Sequence, residues 1–419
     1  MKSKATRTKP KSNGIGQLSL VEHALCPLDA RKSLGRNTVF ETGYFYSNKR
    51  RQRRRADVQV FCPLGLSPKD EFYLWGLLAL TLANPEHGDE LVATRYYILR
   101  QLGVIGSESK GGRQFTELAA ALDRLSVVSY RNSAFYDPVR AEHRKVSFGF
   151  FSYSIPEDKN SSRAWRIKWD PVFIELVKPI GGSLRFNLEL YSQLDPATRR
   201  LFLFLSKIFA RRKTTPNLEL MHLATEILGY SESRPARKLK NHVLQSISKL
   251  EAADVLAGDG HHQFSKYNDR LTIKLQRSNR FSQINSVTAH IESPLVEPLQ
   301  KIGLDSKTIR FTLNAYSAKL VSEWVDITQA AIERFGNGFF KKSATAYLLD
   351  NLKYASAEKR TAPDWWHKIR TKEMQKQAKL DRARRKKLTG RESFPEHISS
   401  CLQSFTDSIF EQCKQSERK

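Results

Sequence analysis

The sequence predicts a mainly helical α+β protein in which one plan of elements is used twice. Three observations predict it. Two stretches repeat the order helix, short strand, helix, turn, helix, hairpin. A seven-residue phrase recurs in the same slot of both, and the 419-residue chain carries a formal net charge of +27.

Residues 1–56 read as a basic N-terminal arm ending in Arg50, Arg51, Arg53, Arg54 and Arg55. A first body follows over 57–156. Ser67-Pro68 opens its first helix, with Ser as N-cap and Pro in the first turn, and Phe72, Trp75, Leu78 and Leu82 share one face. Glu90–Ala93 reads as a short strand and Arg95–Leu102 as a helix stopped by Gly103. Phe115, Leu118, Leu122 and Leu125 keep the 3.6 period of a third helix. Val127–Tyr136 and Lys145–Ile155 then suit a hairpin.

The polar stretch Glu157–Arg163 reads as a linker. A second body, 165–280, repeats the plan. Asp195-Pro196 opens a helix bearing Leu201, Leu205 and Ile208; Asn217–Leu220 is strand-like; His222–Leu228 is a short helix stopped by Gly229. Its third helix carries Leu239, Val243, Ile247 and Leu250 at helical spacing. Val255-Leu256 and Leu271–Leu275 supply the expected hairpin. The echo lies just ahead of each third helix: Ser107-Glu108-Ser109-Lys110-Gly111-Gly112-Arg113 against Ser231-Glu232-Ser233-Arg234-Pro235-Ala236-Arg237. A small helical domain is expected over 290–358, with Ile309, Leu313, Tyr316, Leu320 and Trp324 in its core, and a basic, weakly ordered tail over 359–419.

Composition narrows the partner. Apolar residues at 40% and aromatic residues at 10% suit a globular chain. A large cationic excess repels itself unless an anion meets it, and nucleic acid rewards each cation with counterion release. No apolar run approaches the roughly 18–20 residues that span a bilayer, and no apolar signal core follows the basic start. The cysteines, Cys26, Cys62, Cys401 and Cys413, form no CxxC pair, which fits a reducing compartment. The chain therefore reads as soluble and cytoplasmic, with no cofactor.

The doubled order is that of a winged helix-turn-helix, whose third helix fits the DNA major groove while the hairpin reaches the flanking backbone. With the apolar row of the second body inward, rotation at roughly 100° per residue sets Arg234, Arg237, Asn241, Gln245 and Ser248 opposite, with Lys238 beside them. Arg can read guanine, and Asn or Gln adenine. This outer row holds no carboxylate. The plain alternative is a solvated helix face. In the first body Lys110, Arg113 and Thr116 are the equivalent candidates, but Glu117 lies among them. That helix suits either phosphate contact or packing against a second copy. The arginines at 50–55 suit phosphate binding, minor-groove insertion or plain solvation, with phosphate binding preferred.

Several runs resemble RepA-type plasmid replication initiators. They are Leu190-Tyr191-Ser192-Gln193-Leu194 with Arg199-Arg200-Leu201-Phe202; Leu218-Glu219-Leu220 with Leu223-Ala224 and Leu228-Gly229; and Lys238-Leu239-Lys240 through Ile247, Leu250 and Leu256. Gln17-Leu18-Ser19-Leu20-Val21-Glu22 and Gly65-Leu66-Ser67-Pro68-Lys69-Asp70 are similar to the family's N-terminal motifs. The likeness spans about residues 15–280. It implies tandem winged helices that bind repeated plasmid-origin sites in double-stranded DNA, melt an adjacent AT-rich tract and recruit a host helicase or initiator. It also implies a homodimer through the first body and, in many members, repression of the protein's own gene.

Catalytic patterns are incomplete. Tyr316-Ser317-Ala318-Lys319 imitates the tyrosine half of a nicking motif, but its metal half is missing, because adjacent His261 and His262 in a strand would point to opposite faces. Gly336-Asn337-Gly338 before Lys341-Lys342-Ser343 lacks the Gly-Lys step and preceding strand of a phosphate loop. No catalytic or metal residue is expected. A tandem winged-helix repressor is the nearest rival reading, and a nicking relaxase a more distant one.

Overall fold

Apolar side chains at Ala56, Val58, Val60 and Cys62 alternate with Arg55, Asp57, Gln59 and Phe61, and that alternation gives one buried sheet face. The computed structural model describes residues 13–389 apart from 30–32, 49, 84–87, 107–111, 159–160, 180, 259–262, 268–269 and 286–292. Among the described residues, the stretch expected to form a basic arm instead contributes three strands. Strand β1 (Gly14–Gln17) pairs antiparallel with β9 (Ser183–Phe186), far downstream in the chain. Strands β2 (Thr38–Ser47) and β3 (Arg53–Cys62) form a hairpin of ten residue pairs. Its inner face buries Tyr44, Ala56 and Val58.

The first body then runs as expected through α1 (Pro68–Leu82), β4 (Glu90–Ala93), α2 (Arg95–Gln101) and α3 (Gly112–Ser126). Ser67 N–H donates to Asp70 Oδ2 at 2.8 Å, closing the start of α1. Gly103 ends α2 at φ 67°, a left-handed turn that favours glycine. The sheets depart from the expected hairpin. Strand β5 (Ser129–Asp137) pairs with β6 (Glu142–Phe148) and also with β3, giving the order β2-β3-β5-β6. Strand β7 (Phe151–Ser154) leaves that sheet for β8 (Trp165–Trp169), which pairs in turn with β4. The supposed linker 157–163 is thus the connection between two paired strands. Its Arg163 is buried, because Asp326 Oδ1 receives its Nε–H at 2.9 Å.

Helices α4 (Pro171–Val177) and α5 (Leu188–Gln193) lead into the second body: α6 (Pro196–Phe209), β10 (Leu218–Glu219), α7 (Leu220–His222) with a π-helical turn at Leu223–Ile227, and α8 (Ala236–Ala252). The hairpin after α8 is displaced from its expected place. Strand β11 (Gln263–Tyr267) pairs with β12 (Arg270–Lys274), and β12 also takes β10. Leu256 makes only an isolated bridge to Arg277. Aspartates tie α1 and α6 to their third helices: Asp70 takes Arg124 at 2.6 Å, and Asp195, the N-cap of α6, takes Lys249 at 2.9 Å. Asp70 and Asp195 stand 125 residues apart, as do Arg124 and Lys249. One apolar core runs through both bodies, from Ile15 to Phe281.

After α9 (Phe281–Asn285), helices α10 (Val296–Ile302), α11 (Ser306–Ala315), α12 (Ala318–Phe335) and α13 (Ala344–Ser356) form the third body. Ile309, Val321, Trp324, Leu348 and Leu352 are buried there. Tyr316, expected in the core, is half-buried where α11 ends, as are Leu313 and Leu320. Helix α14 (Asp364–Thr389) belongs to a separate unit, Asp364–Lys419. The architecture is mixed α+β with more helix than strand, and no described helix is long and apolar enough to cross a membrane.

Candidate nucleic-acid interface

The 3.6 period of α8 sorts its side chains cleanly. Leu239, Val243, Ile247 and Leu250 are all at 1% exposure or less. The opposite row, Arg237, Lys238, Asn241, Gln245 and Ser248, is exposed, as is Arg234 just before the helix. Among the described residues, Arg237, Lys238, Asn241 and Gln245 have no hydrogen-bonded or ion-paired side-chain partner. A row of uncommitted donors without a carboxylate can approach phosphate and base edges and gives up few internal bonds in doing so.

Arg234 is more constrained. Its guanidinium lies 5.5 Å from the Tyr230 ring centroid and 3.3 Å from His242 Nε2, while Tyr230 and His242 stack at 4.8 Å. This cluster fixes the turn entering α8. The hairpin stands close by, since Lys240 Nζ sits 5.6 Å from the exposed Phe264 ring on β11. Lys266 and Arg270 extend this basic surface. Neither stands out in the sequence, although both fall in the expected hairpin region.

The arginines at the β2–β3 turn are placed by the strand pairing. Arg50 and Arg51 occupy the tight turn, where Arg51 has φ 59° and donates its N–H to Asn48 O. Arg53, Arg54 and Arg55 lie on β3 and are exposed. Arg55 reaches across to the second body and pairs with Glu226 at 2.7 Å. Arg53 stacks 4.0 Å over Phe45, whose ring in turn meets His222 at 4.9 Å. The hairpin end is therefore docked on the α7–π turn segment that precedes α8. Arg53 and Arg55 serve partly to hold it there, leaving Arg50, Arg51 and Arg54 at its rim.

The first body's third helix offers less. Lys110 lies outside the described residues. Arg113 pairs with Glu117 at 3.1 Å, and Glu117 also takes Lys69. Further along, Asp123 accepts the Tyr153 hydroxyl. Carboxylates on this helix contrast with the bare row on α8. His261 and His262 also lie outside the described residues; among those described, no group of three or more His, Cys, Asp or Glu side chains could hold a metal ion.

No family model matches the chain, and no curated protein matches it. Among solved structures, the chain is similar to domains 2 and 3 of RctB, crystallised as selenomethionine derivatives. The likeness has 12% identity and a TM-score of 0.41, covering 62% of this chain and 96% of that one.

Proposed function

We propose that the chain is a sequence-specific DNA-binding replication initiator of the plasmid RepA type, with winged helix-turn-helix modules built around α1–α3 and α6–α8. It binds repeated origin sites, promotes opening of adjacent AT-rich duplex and recruits host replication proteins, and it does so without catalysis. One observation carries the DNA-binding part: α8 turns a carboxylate-free row of Arg237, Lys238, Asn241 and Gln245 outward over a fully buried apolar row. The step from DNA binding to initiation is supported by the sequence resemblance. In this reading α8 lies in the major groove, the β11–β12 hairpin follows the backbone, and Arg50, Arg51 and Arg54 take neighbouring phosphates.

The test is binding to DNA selected by the protein from a random pool. Arg237→Ala and Asn241→Ala are each expected to weaken the selected site by about 1–3 kcal/mol and to relax the preference at one base position. An unchanged affinity in both variants would place the reading surface elsewhere. By contrast, Arg50→Ala/Arg51→Ala/Arg54→Ala should weaken all duplexes alike and reduce the salt slope by about 0.9 for each phosphate no longer neutralised. Supercoiled DNA incubated with the protein and Mg²⁺ should stay supercoiled, whereas relaxed circles would reveal a nicking enzyme. Permanganate reactivity of thymines beside the bound site separates an initiator from a repressor, since only the initiator opens the duplex.

A further inference from the structure

The two bodies carry the same three-stranded sheet beside their helices, in the orders β4-β8-β7 and β10-β12-β11. In each, the strand ahead of the second helix pairs with the second strand of the hairpin. Both sheets repeat one ion pair between those strands, Glu90 with Arg166 at 2.8 Å and Glu219 with Arg270 at 3.0 Å. The β7–β8 hairpin is thus the first body's counterpart of β11–β12, and Ser161, Ser162 and Arg163 lie toward its tip, just before β8. Carboxylates of the third body cover that tip. On α12, Glu333 accepts from the Ser161 hydroxyl at 2.8 Å and from the Ser162 N–H at 3.1 Å, and Asp326 accepts from Arg163 Nε at 2.9 Å. Glu323 and Asp326 also stabilise the charge of Arg166, after its partner Glu90. These are all the carboxylates of α12, and positions 323, 326 and 333 fall on one side of a helix with 3.6 residues per turn. On α10, Glu297 accepts from the Thr94 hydroxyl at 2.5 Å and pairs with Lys301 at 2.8 Å.

The dock is polar and incompletely filled. The apolar core from Ile15 to Phe281 leaves out the third body's buried Leu299, Ile309 and Trp324. A cavity of about 510 Å³ opens where the bodies meet, lined by Thr94, Arg95 and Phe115 of the first and Glu297, Gln300 and Lys301 of the third. Arg95 lies 4.5 Å from the Phe115 ring centroid and has no ion pair among the described residues. A contact held by charge rather than by a shared core is one that domains can leave.

We infer that the third body masks a second phosphate-binding surface, on the β7–β8 hairpin of the first body, and that duplex DNA displaces it. The Ser161 hydroxyl, the Ser162 N–H and the Arg163 guanidinium are donors of the kinds that hold backbone phosphates. Carboxylates accept the same charge-assisted bonds as phosphates, so those of α12 stand in for a duplex, and a duplex competes with them. In a chain with a net charge of +27, the gathering of every α12 acid on this side suits a device that keeps the hairpin closed. A permanent dock is expected to be more apolar. The masked surface is additional to the α8 row, and it rests on the proposed function only in taking the two bodies as like modules.

The test compares the full-length native protein with Asp326→Asn/Glu333→Gln. The probe is a fluorescent duplex of about 30 base pairs, roughly three helical turns, that lacks the selected site. Opening the mask should tighten binding about tenfold, because a site hidden in most molecules shows only the affinity its open fraction allows. The salt slope should steepen by about 0.9 for each phosphate gained. Asp350→Asn/Glu358→Gln removes the same charge elsewhere in the third body and should have a much smaller effect. Adding Arg163→Ala to the opened variant should remove the gain, whereas Arg163→Lys should keep most of it. Circular dichroism confirms folding; Glu333 is exposed, so Glu333→Gln alone serves if the double variant is unstable, and it should show part of the gain. Binding no tighter than in the charge-matched control, or a gain that survives Arg163→Ala, would overturn the inference. The α8 reading is scored separately. Opening the mask should leave the base preference at the selected site unchanged, and Arg237→Ala/Asn241→Ala should leave the gain on the unselected duplex intact, so each reading can fail without the other.

Discussion

Replacing Arg200 with methionine is expected to cost about 3–5 kcal/mol of stability, because it strands a buried carboxylate. Arg200 on α6 and Glu71 on α1 meet at 2.6 Å with only 4% and 6% of their side chains exposed. The guanidinium also donates to Leu228 O at 2.7 Å and to Cys26 Sγ at 3.2 Å. Leu228 ends the π-turn helix that leads into α8, so one side chain links both opening helices to the approach of the candidate reading helix. Glu71 has few substitutes for this partner: besides Arg200 it accepts from Leu25 N at 3.4 Å and lies 3.9 Å from Cys26 Sγ. Urea titration at neutral pH measures the loss. The double variant Glu71→Gln/Arg200→Met removes both charges and should recover a large part of it. A cost below about 1 kcal/mol for Arg200→Met would show that the buried pair adds little to stability and that the other contacts between the two bodies, such as Arg55 with Glu226, hold them together.

How much of the fold is legible in the sequence depends on whether the deciding partner is local. The faces of α8 can be read because every fourth or third position from Leu239 to Leu250 is apolar and the intervening ones, Leu244 apart, are polar, so a single helix settles the question. The hairpin β2–β3 is obscured by its own composition. Five arginines in six positions suggest a solvated arm, yet the alternation of Ala56, Val58, Val60 and Cys62 is the available sign of a strand. The 157–163 stretch reads as a linker for another reason. Ser161 and Arg163 look solvent-seeking, and their partners, Glu333 and Asp326, lie more than 160 residues away. Similarly, β8 groups in sequence with the residues after it, whereas its partner β4 lies 75 residues earlier.

The candidate site divides along the same line. Arg237, Lys238, Asn241 and Gln245 fall where helical rotation puts them. Arg53 and Arg55 can be named as basic residues, but Arg53 meets Phe45 across the β2–β3 hairpin, and Arg55 meets Glu226 through a contact between the first and second bodies that no local pattern encodes.

Acid is expected to unfold the protein earlier than its carboxylates alone would require, and His23 is the reason. The imidazole is sealed between the rings of Tyr44 and Tyr130, with centroids at 5.7 and 5.8 Å. Its Nε2 meets the Tyr130 hydroxyl and its Nδ1 the Ala24 carbonyl, each at 2.9 Å. Burial drives its pKa down from 6.5 to about 4, and the charges of Arg200 and Lys207 push the same way against the Ala24 carbonyl. Between pH 6.5 and 4 the unfolded chain therefore binds a proton that the folded chain refuses. Stability falls as pH drops through this window and levels off below it. A displacement of this size corresponds to about 3 kcal/mol. Glu22 acts in the opposite sense near the lower end, because burial raises its pKa despite Lys207, so the useful measure is a difference between variants. His23→Gln keeps a polar group beside Tyr130 but has no proton to gain. Its unfolding free energy, taken by urea titration at half-unit steps from pH 7 to pH 4, should decline less than that of the native protein by about this amount. Parallel curves for the two proteins would mean that His23 is protonated as readily in the fold as outside it, and that the ring stack between β2 and β5 admits water.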